Sequence, residues 1–168
     1  MQECICPNVG LKKAMTHDKI SDYPFDIQNF NTVVTKRNPY DRVYSMYYYY
    51  NNTNGINVPD LQAFVEIIPY EISKNGHTAC LRPITQYLKI DGKIKADYIL
   101  DFHDLEKSLT DFLRLFNIEY PESAKGKIKN KNPKKTKPFN LKFFNKKTID
   151  LVNEIYEEDF LNFDYSFA

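Results

Sequence analysis

Cysteine is scarce here, with three residues in all, and an odd number cannot be paired off completely. Cys4 and Cys6 stand too close together for a stable mutual disulfide in an ordered strand, and Cys80 stands alone, so free thiols are expected. No Cys/His spacing resembles a zinc site, and no structural metal is expected. A long apolar run is missing too: nothing approaches the ~20 residues a membrane-spanning helix needs. The opening residues lack the charged-then-apolar order of a secretory signal, and a soluble, cytoplasmic chain is the expectation. Finally, there is no surplus of charge. With 23 Lys+Arg against 22 Asp+Glu the net charge is +1, so an anionic partner must be met by a local cluster and not by a global field.

What is present is enough for one sizeable core. A length of 168 residues suits a single domain over 1–168, and 13 Tyr and 12 Phe supply large side chains to bury. The chain changes character at TVVTKRNPYDRVYSMYYYY, residues 32–50. Thr32 to Thr35 are β-branched and suit a buried strand. Asn38 then supplies a helix cap, Pro39 a first helical residue with φ already set, and Asp41 an acid for the first turn's free amides. A helix start of this kind is an anion site in outline. Arg37, at the strand's exit, can grip two phosphate oxygens at once, and Ser45 can offer a hydroxyl from the helix's second turn. An ordinary solvent-facing arginine in a strand-to-helix turn fits the same spacing. Tyr44 and the tyrosines at 47–50 point in several directions on a helix, so core and rim packing is expected of them, with Val43, Met46, Tyr47 and Tyr50 on the buried stripe.

The run VTKRNPYDRVYSMY resembles the 3′-phosphate-binding motif of sulfotransferases, in particular the carbohydrate or Golgi type and its bacterial and viral relatives. The resemblance implies an α/β fold with a small parallel sheet flanked by helices. It implies a co-substrate, 3′-phosphoadenosine 5′-phosphosulfate (PAPS), with Arg37 and Ser45 on its 3′-phosphate, and a hydroxyl acceptor such as a carbohydrate. No metal and no nucleic acid are needed. It also implies His17, upstream of the motif, as the catalytic base, although a lone histidine is more often simply exposed. A membrane-associated or Golgi-lumenal location would follow if the chain is a fragment of a longer protein.

Further along, Leu61, Phe64, Val65 and Ile68 form a helical stripe that Pro69 is expected to kink or end. NGHTACLRPITQYL reads as a loop leading to a short extended piece, in which Pro83, Gln86, Tyr87 and Leu88 echo a Pro-Gln, Tyr-Leu segment of the family and His77 falls near the acceptor by resemblance. Asp91–Gly92 marks a hairpin turn. Tyr98, Ile99 and Leu100 then suit a sheet interior, and Asp104 a cap for a helix carrying Leu105, Leu109, Phe112, Leu113 and Phe116. This unit is similar to the family's second block, usually a strand, Arg-Phe-Glu, and a helix ending Leu-Gly-Ile; here Asp101, Phe102 and His103 stand at the first three positions and Asn117 replaces the glycine. Residues 125–147 hold ten lysines and no acid. They read as a solvated loop, as a nucleic-acid surface, or, by resemblance, as a basic loop at about 123–140 that closes over the donor's phosphates through Lys127, Lys129, Lys134 and Lys135. A last helix from Thr148 carries Ile149, Val152, Ile155 and Tyr156, and its elements at 155–156, 159–160 and 163–165 are similar to the family's C-terminal signature.

One departure stands out. The family's upstream Pro-Lys-x-Gly-x-Thr loop, which holds the 5′-phosphosulfate, has no match before Asn31; CPNVGLKKA, with Gly10 and Lys12, comes nearest. Three functions therefore stay open: a sulfotransferase, an inactive or truncated module that keeps a phosphate pocket, and a lysine-loop nucleic-acid binder.

Overall fold

The computed structural model describes residues 19–22, 29–52, 56–74, 79–122 and 138–168. In chain order these form strand β1 (Val33–Lys36), helices α1 (Pro39–Asn52), α2 (Leu61–Ser73) and α3 (Ile84–Leu88), strands β2 (Lys89–Ile90), β3 (Lys93–Ile94) and β4 (Tyr98–Asp101), and helices α4 (Leu105–Arg114), α5 (Lys146–Ile155) and α6 (Glu157–Asn162). Short 3-10 turns cover Ile20–Asp22, Ala79–Leu81 and Leu141–Phe143. The architecture is α/β, as the sequence implies: β1 and β4 pair in parallel with helices around them, and β2 and β3 make a separate hairpin.

The core lies between α1, α2, α5 and α6. Tyr40, Val43, Tyr44 and Tyr50 of α1 meet Phe64, Val65 and Ile68 of α2, Val152 of α5, and Tyr156 and Phe160 at and beyond its end. The tyrosines of α1 are thus core and rim residues, with Tyr49 alone among them fully turned outward. Helix α2 begins where Asp60 accepts the Ala63 N–H at 2.8 Å, but Pro69 does not end it. Proline in a helix interior costs ~3 kcal/mol or more. Here Leu61, Phe64, Val65 and Ile68 are buried, each contributing roughly 1.5–3 kcal/mol, so the packed stripe carries the helix through the proline to Ser73. The last helical stretch starts two residues earlier than expected, at Lys146 under an Asn145 cap, and breaks at Tyr156 into α5 and α6.

Two turns obey local chemistry. Asp91 and Gly92 both take positive φ, 48° and 76°, the pair of left-handed residues that joins a twisted two-residue hairpin. Asn117 takes φ 58° just past α4, and the Ile118 N–H returns to the Leu113 carbonyl at 3.0 Å. That is the left-handed helix end for which glycine is the usual residue and asparagine the next, which explains how asparagine stands where the resembling family has glycine. Asp104, by contrast, sits at the cap position of α4 but makes no side-chain cap bond. None of the α4 stripe is fully buried. β1 starts at Val33, one residue late, and Val33 and Ile99 are 40% and 46% exposed, since the two strands paired among the described residues leave part of each other uncovered.

The parallel pairing is tied at its entrance by Asp97. Its carboxylate accepts the Thr32 N–H at 2.7 Å, while the Thr32 carbonyl accepts from the Asp97 and Tyr98 amides at 3.0 Å each. The Thr32 backbone bond, followed by Lys95, holds the Asp97 carboxyl below its usual range. A group with a depressed folded value adds stability above its unfolded pKa of about 3.9 and loses it as pH falls through the folded value. Asp97→Asn is therefore expected to lose on the order of 0.5–1.5 kcal/mol at pH 7, at the low end because solvent screens the group, and less at about pH 3, below the unfolded pKa. Urea unfolding at both pH values checks this, and an equal loss at both would show that the charge plays no part.

Candidate functional site

The open sheet's carboxyl ends, where ligands bind in folds of this class, bring β1's exit against β4's exit. Arg37 leaves β1 and meets Asp41 in the first turn of α1. Its Nε donates to Asp41 Oδ2 at 2.7 Å and Nη2 to Oδ1 at 3.1 Å, and its guanidinium carbon lies 4.2 Å from the centre of the Phe102 ring. The arginine is thus oriented from two sides. Asp41 uses two of the five guanidinium donors, and the remaining three include a forked pair able to hold two oxygens of an anion.

The helix start itself differs from the expectation. Asn38 Oδ1 accepts from the Tyr40 amide at 3.0 Å and leans toward that of Asp41 at 3.4 Å, so the cap forms as the sequence predicts. Asp41, however, serves Arg37 and not the first-turn amides. With Pro39 lacking an N–H and Asn38 on the next two amides, the donors left at this helix start are side chains and not these backbone groups. Ser45 is half-buried one turn beyond Asp41, and residues four apart lie on one helix face. Asp41, which holds Arg37, and Ser45 therefore share one helix face.

β4 contributes the other wall. His103 Nε2 lies 3.3 Å from Asp41 Oδ2, with the imidazole 62% exposed, and the His103 N–H donates to Asp101 Oδ1 at 2.8 Å. The C-terminal segment closes the cluster from below. Lys36 Nζ reaches the Phe163 carbonyl at 3.5 Å and stands 5.4 Å from the centre of the Tyr165 ring. Burial, then the carboxylates of Asp101 and Asp41, push the Tyr165 phenol up to about 12. Its hydroxyl is buried without a hydrogen-bond partner. Neither His103 nor Tyr165 was legible as a site residue: each touches the arginine's surroundings only through the β1–β4 pairing and the return of the C-terminus.

A second polar cluster explains other motif residues. Arg42, the next residue on the helix, donates through Nη2 to the carbonyls of Cys80 and Arg82 at 2.7 and 2.6 Å, and its Nη1 lies 3.6 Å from Asp159 Oδ2. Asp159, 1% exposed, accepts the Ile84 and Thr85 amides at 2.8 and 2.9 Å and so caps α3 from 74 residues away. The Tyr156 hydroxyl donates to the Leu81 carbonyl at 2.6 Å. This is why the Pro83–Leu88 segment is a helix and not the extended piece expected of it. The Asp-Phe element of the C-terminal signature is thereby a cap and a core residue.

His17, His77, Gly10, Lys12, Lys127, Lys129, Lys134 and Lys135 lie outside the described residues. Among the described residues no cluster of His, Cys, Asp or Glu is arranged to hold a metal ion, and no helix is long and apolar enough to cross a membrane.

No curated protein and no solved structure matches the chain. A family model does: the one described as "Sulfotransferase family" matches residues 10–166 and takes in β1, α1, β4 and the C-terminal elements that assemble around Arg37. Such a family implies sulfuryl transfer in general, from a nucleotide sulfonate donor to a hydroxyl. With the match running over nearly all of the chain and the α/β architecture agreeing with it, this chain belongs to the sulfotransferase family.

Proposed function

We propose that residues 1–168 act as one domain that transfers a sulfuryl group from 3′-phosphoadenosine 5′-phosphosulfate to a hydroxyl, with a carbohydrate as the acceptor class. The observation that carries this reading is the Arg37 guanidinium, held by Asp41 and Phe102 at the carboxyl end of β1. A planar fork fixed in advance loses little entropy on meeting a phosphate. Arg37 and Ser45 hold the 3′-phosphate, and Lys127 and Lys129 of the basic loop add charge over the nucleotide.

In the transfer, the acceptor oxygen attacks sulfur as the bond from sulfur to the 5′-phosphate oxygen breaks. The hydroxyl proton passes to a base, for which His17 is the candidate, and the bisphosphate leaves with the bonding electrons. A base typically contributes ~10²–10⁴-fold, while stabilisation of the leaving phosphate supplies the larger share. Gly10 and Lys12 are the nearest approach to that second phosphate site.

The test is transfer of labelled sulfate from the donor to a panel of glycans, with binding of adenosine 3′,5′-bisphosphate followed in parallel by calorimetry. Binding with turnover is the expected result. Binding without turnover would establish the phosphate-binding module instead, and no binding at all would overturn both.

A further inference from the structure

The surroundings of Arg37 pose an electrostatic problem for the ligand proposed above. The cations there are Arg37 and Lys36. Facing them are Asp41 from α1 and Asp101 from the end of β4, so carboxylates match cations among these described groups, while Asp104, next to His103, acts on Lys107 of α4. The Tyr165 phenol, pushed upward by Asp101 and Asp41 after burial, is neutral at physiological pH and adds no charge. A phosphate dianion entering this cluster meets no surplus of positive charge, and Asp41 must stay within a few ångströms of it because it holds Arg37. One group in the cluster can change that balance. Among these described groups His103 is the one whose type gains a positive charge between pH 8 and 5, its Nε2 is beside Asp41, and its ring is open to solvent.

We propose that His103 is a phosphate-recognition residue that makes nucleotide affinity depend on pH: as imidazolium it offsets Asp41 and offers a donor to the same 3′-phosphate that Arg37 grips. This rests on the assignment of Arg37 to the 3′-phosphate. The arrangement assigns a use to a residue that stands where the resembling family has glutamate. Binding then takes up a proton, because the dianion favours the charged imidazole. Below about pH 6 the phosphate begins to protonate itself, which works in the opposite direction. Affinity therefore passes through a maximum near the lower end of the neutral range.

Calorimetric titration with adenosine 3′,5′-bisphosphate at pH 6.5, 7.25 and 8, in buffers of different ionisation enthalpy, reads both affinity and protons taken up. The wild-type chain should bind on the order of fivefold more tightly at pH 6.5 than at pH 8, within the tenfold per pH unit that one linked proton permits, with net proton uptake. His103→Gln should bind weakly throughout, with the rise toward pH 6.5 abolished, and His103→Arg, which keeps the charge at every pH, should bind at pH 8 about as tightly as the wild type does at pH 6.5. Adenosine 5′-phosphate, which lacks the 3′-phosphate, should show no dependence on residue 103. An unchanged pH profile in His103→Gln, or an equal effect on the 5′-phosphate, overturns the role of His103 while leaving the assignment of Arg37 standing. Failure of the wild-type chain to bind the bisphosphate at any pH overturns that assignment and the role of His103 with it.

Discussion

Asp159→Ala is expected to destabilise the chain by about 3–5 kcal/mol, the cost of breaking a buried ion pair from one side. The carboxylate is 1% exposed, faces Arg42 at 3.6 Å and accepts two amides of α3. Alanine leaves those two amides without their acceptor and the guanidinium without its counter-charge. Arg42 Nη1 already has no hydrogen-bond partner, so the arginine has no second acceptor to turn to on that side. For a chain of this length the loss corresponds to roughly 6–20 °C in melting temperature. Asp159→Asn should cost less, because one amide oxygen still accepts. The check is urea and thermal unfolding of both variants. A loss below about 1 kcal/mol for alanine would mean that Arg42 swings to solvent and that α3 holds without its cap.

Arg37→Lys is expected to weaken binding of adenosine 3′,5′-bisphosphate by on the order of 10–150-fold, the equivalent of the ~1.5–3 kcal/mol carried by one charge-assisted pair. Lysine keeps the charge that Asp41 needs, so the fold should be little disturbed. It cannot serve Asp41 on one edge and a phosphate on the other, because an ammonium is a single point and not a planar fork. Alanine would be a poorer probe: Asp41 is 5% exposed and would lose its closest partner, mixing a folding defect with a binding one. Calorimetry on the folded lysine variant checks the prediction. An affinity within twofold of the wild type would show that Arg37 serves only to hold Asp41 and Phe102.

Much of the frame was legible because its causes are local. Asn38 and Pro39 start α1 from chemistry contained in two residues, and Asn38 does cap the helix. The stripe of Leu61, Phe64, Val65 and Ile68 is a period that only a helix satisfies, and all four are buried. Asp91–Gly92 makes the turn its residue types prescribe. The departure has a distant cause: local propensity makes the Pro83–Leu88 segment extended, and Asp159 overrules it by accepting the first amides of α3. α2 likewise runs past Pro69 to Ser73 while packed against α5.

The sequence by itself determined that an arginine, a capped helix start and a serine follow a short strand in fixed order, since spacing along a chain is enough to specify that. Only the tertiary structure decided what surrounds the arginine. Asp41 turns to Arg37 because the Asn38 side chain has taken the amides it would otherwise meet. Phe102 and His103 arrive from more than sixty residues on, through the parallel register that sets Lys36 against Asp101. Tyr165 arrives later still, beneath Lys36. Such neighbours leave no periodic or spacing signal, because strand pairing and chain return are selected by the burial of the whole core and not by the residues they happen to bring together.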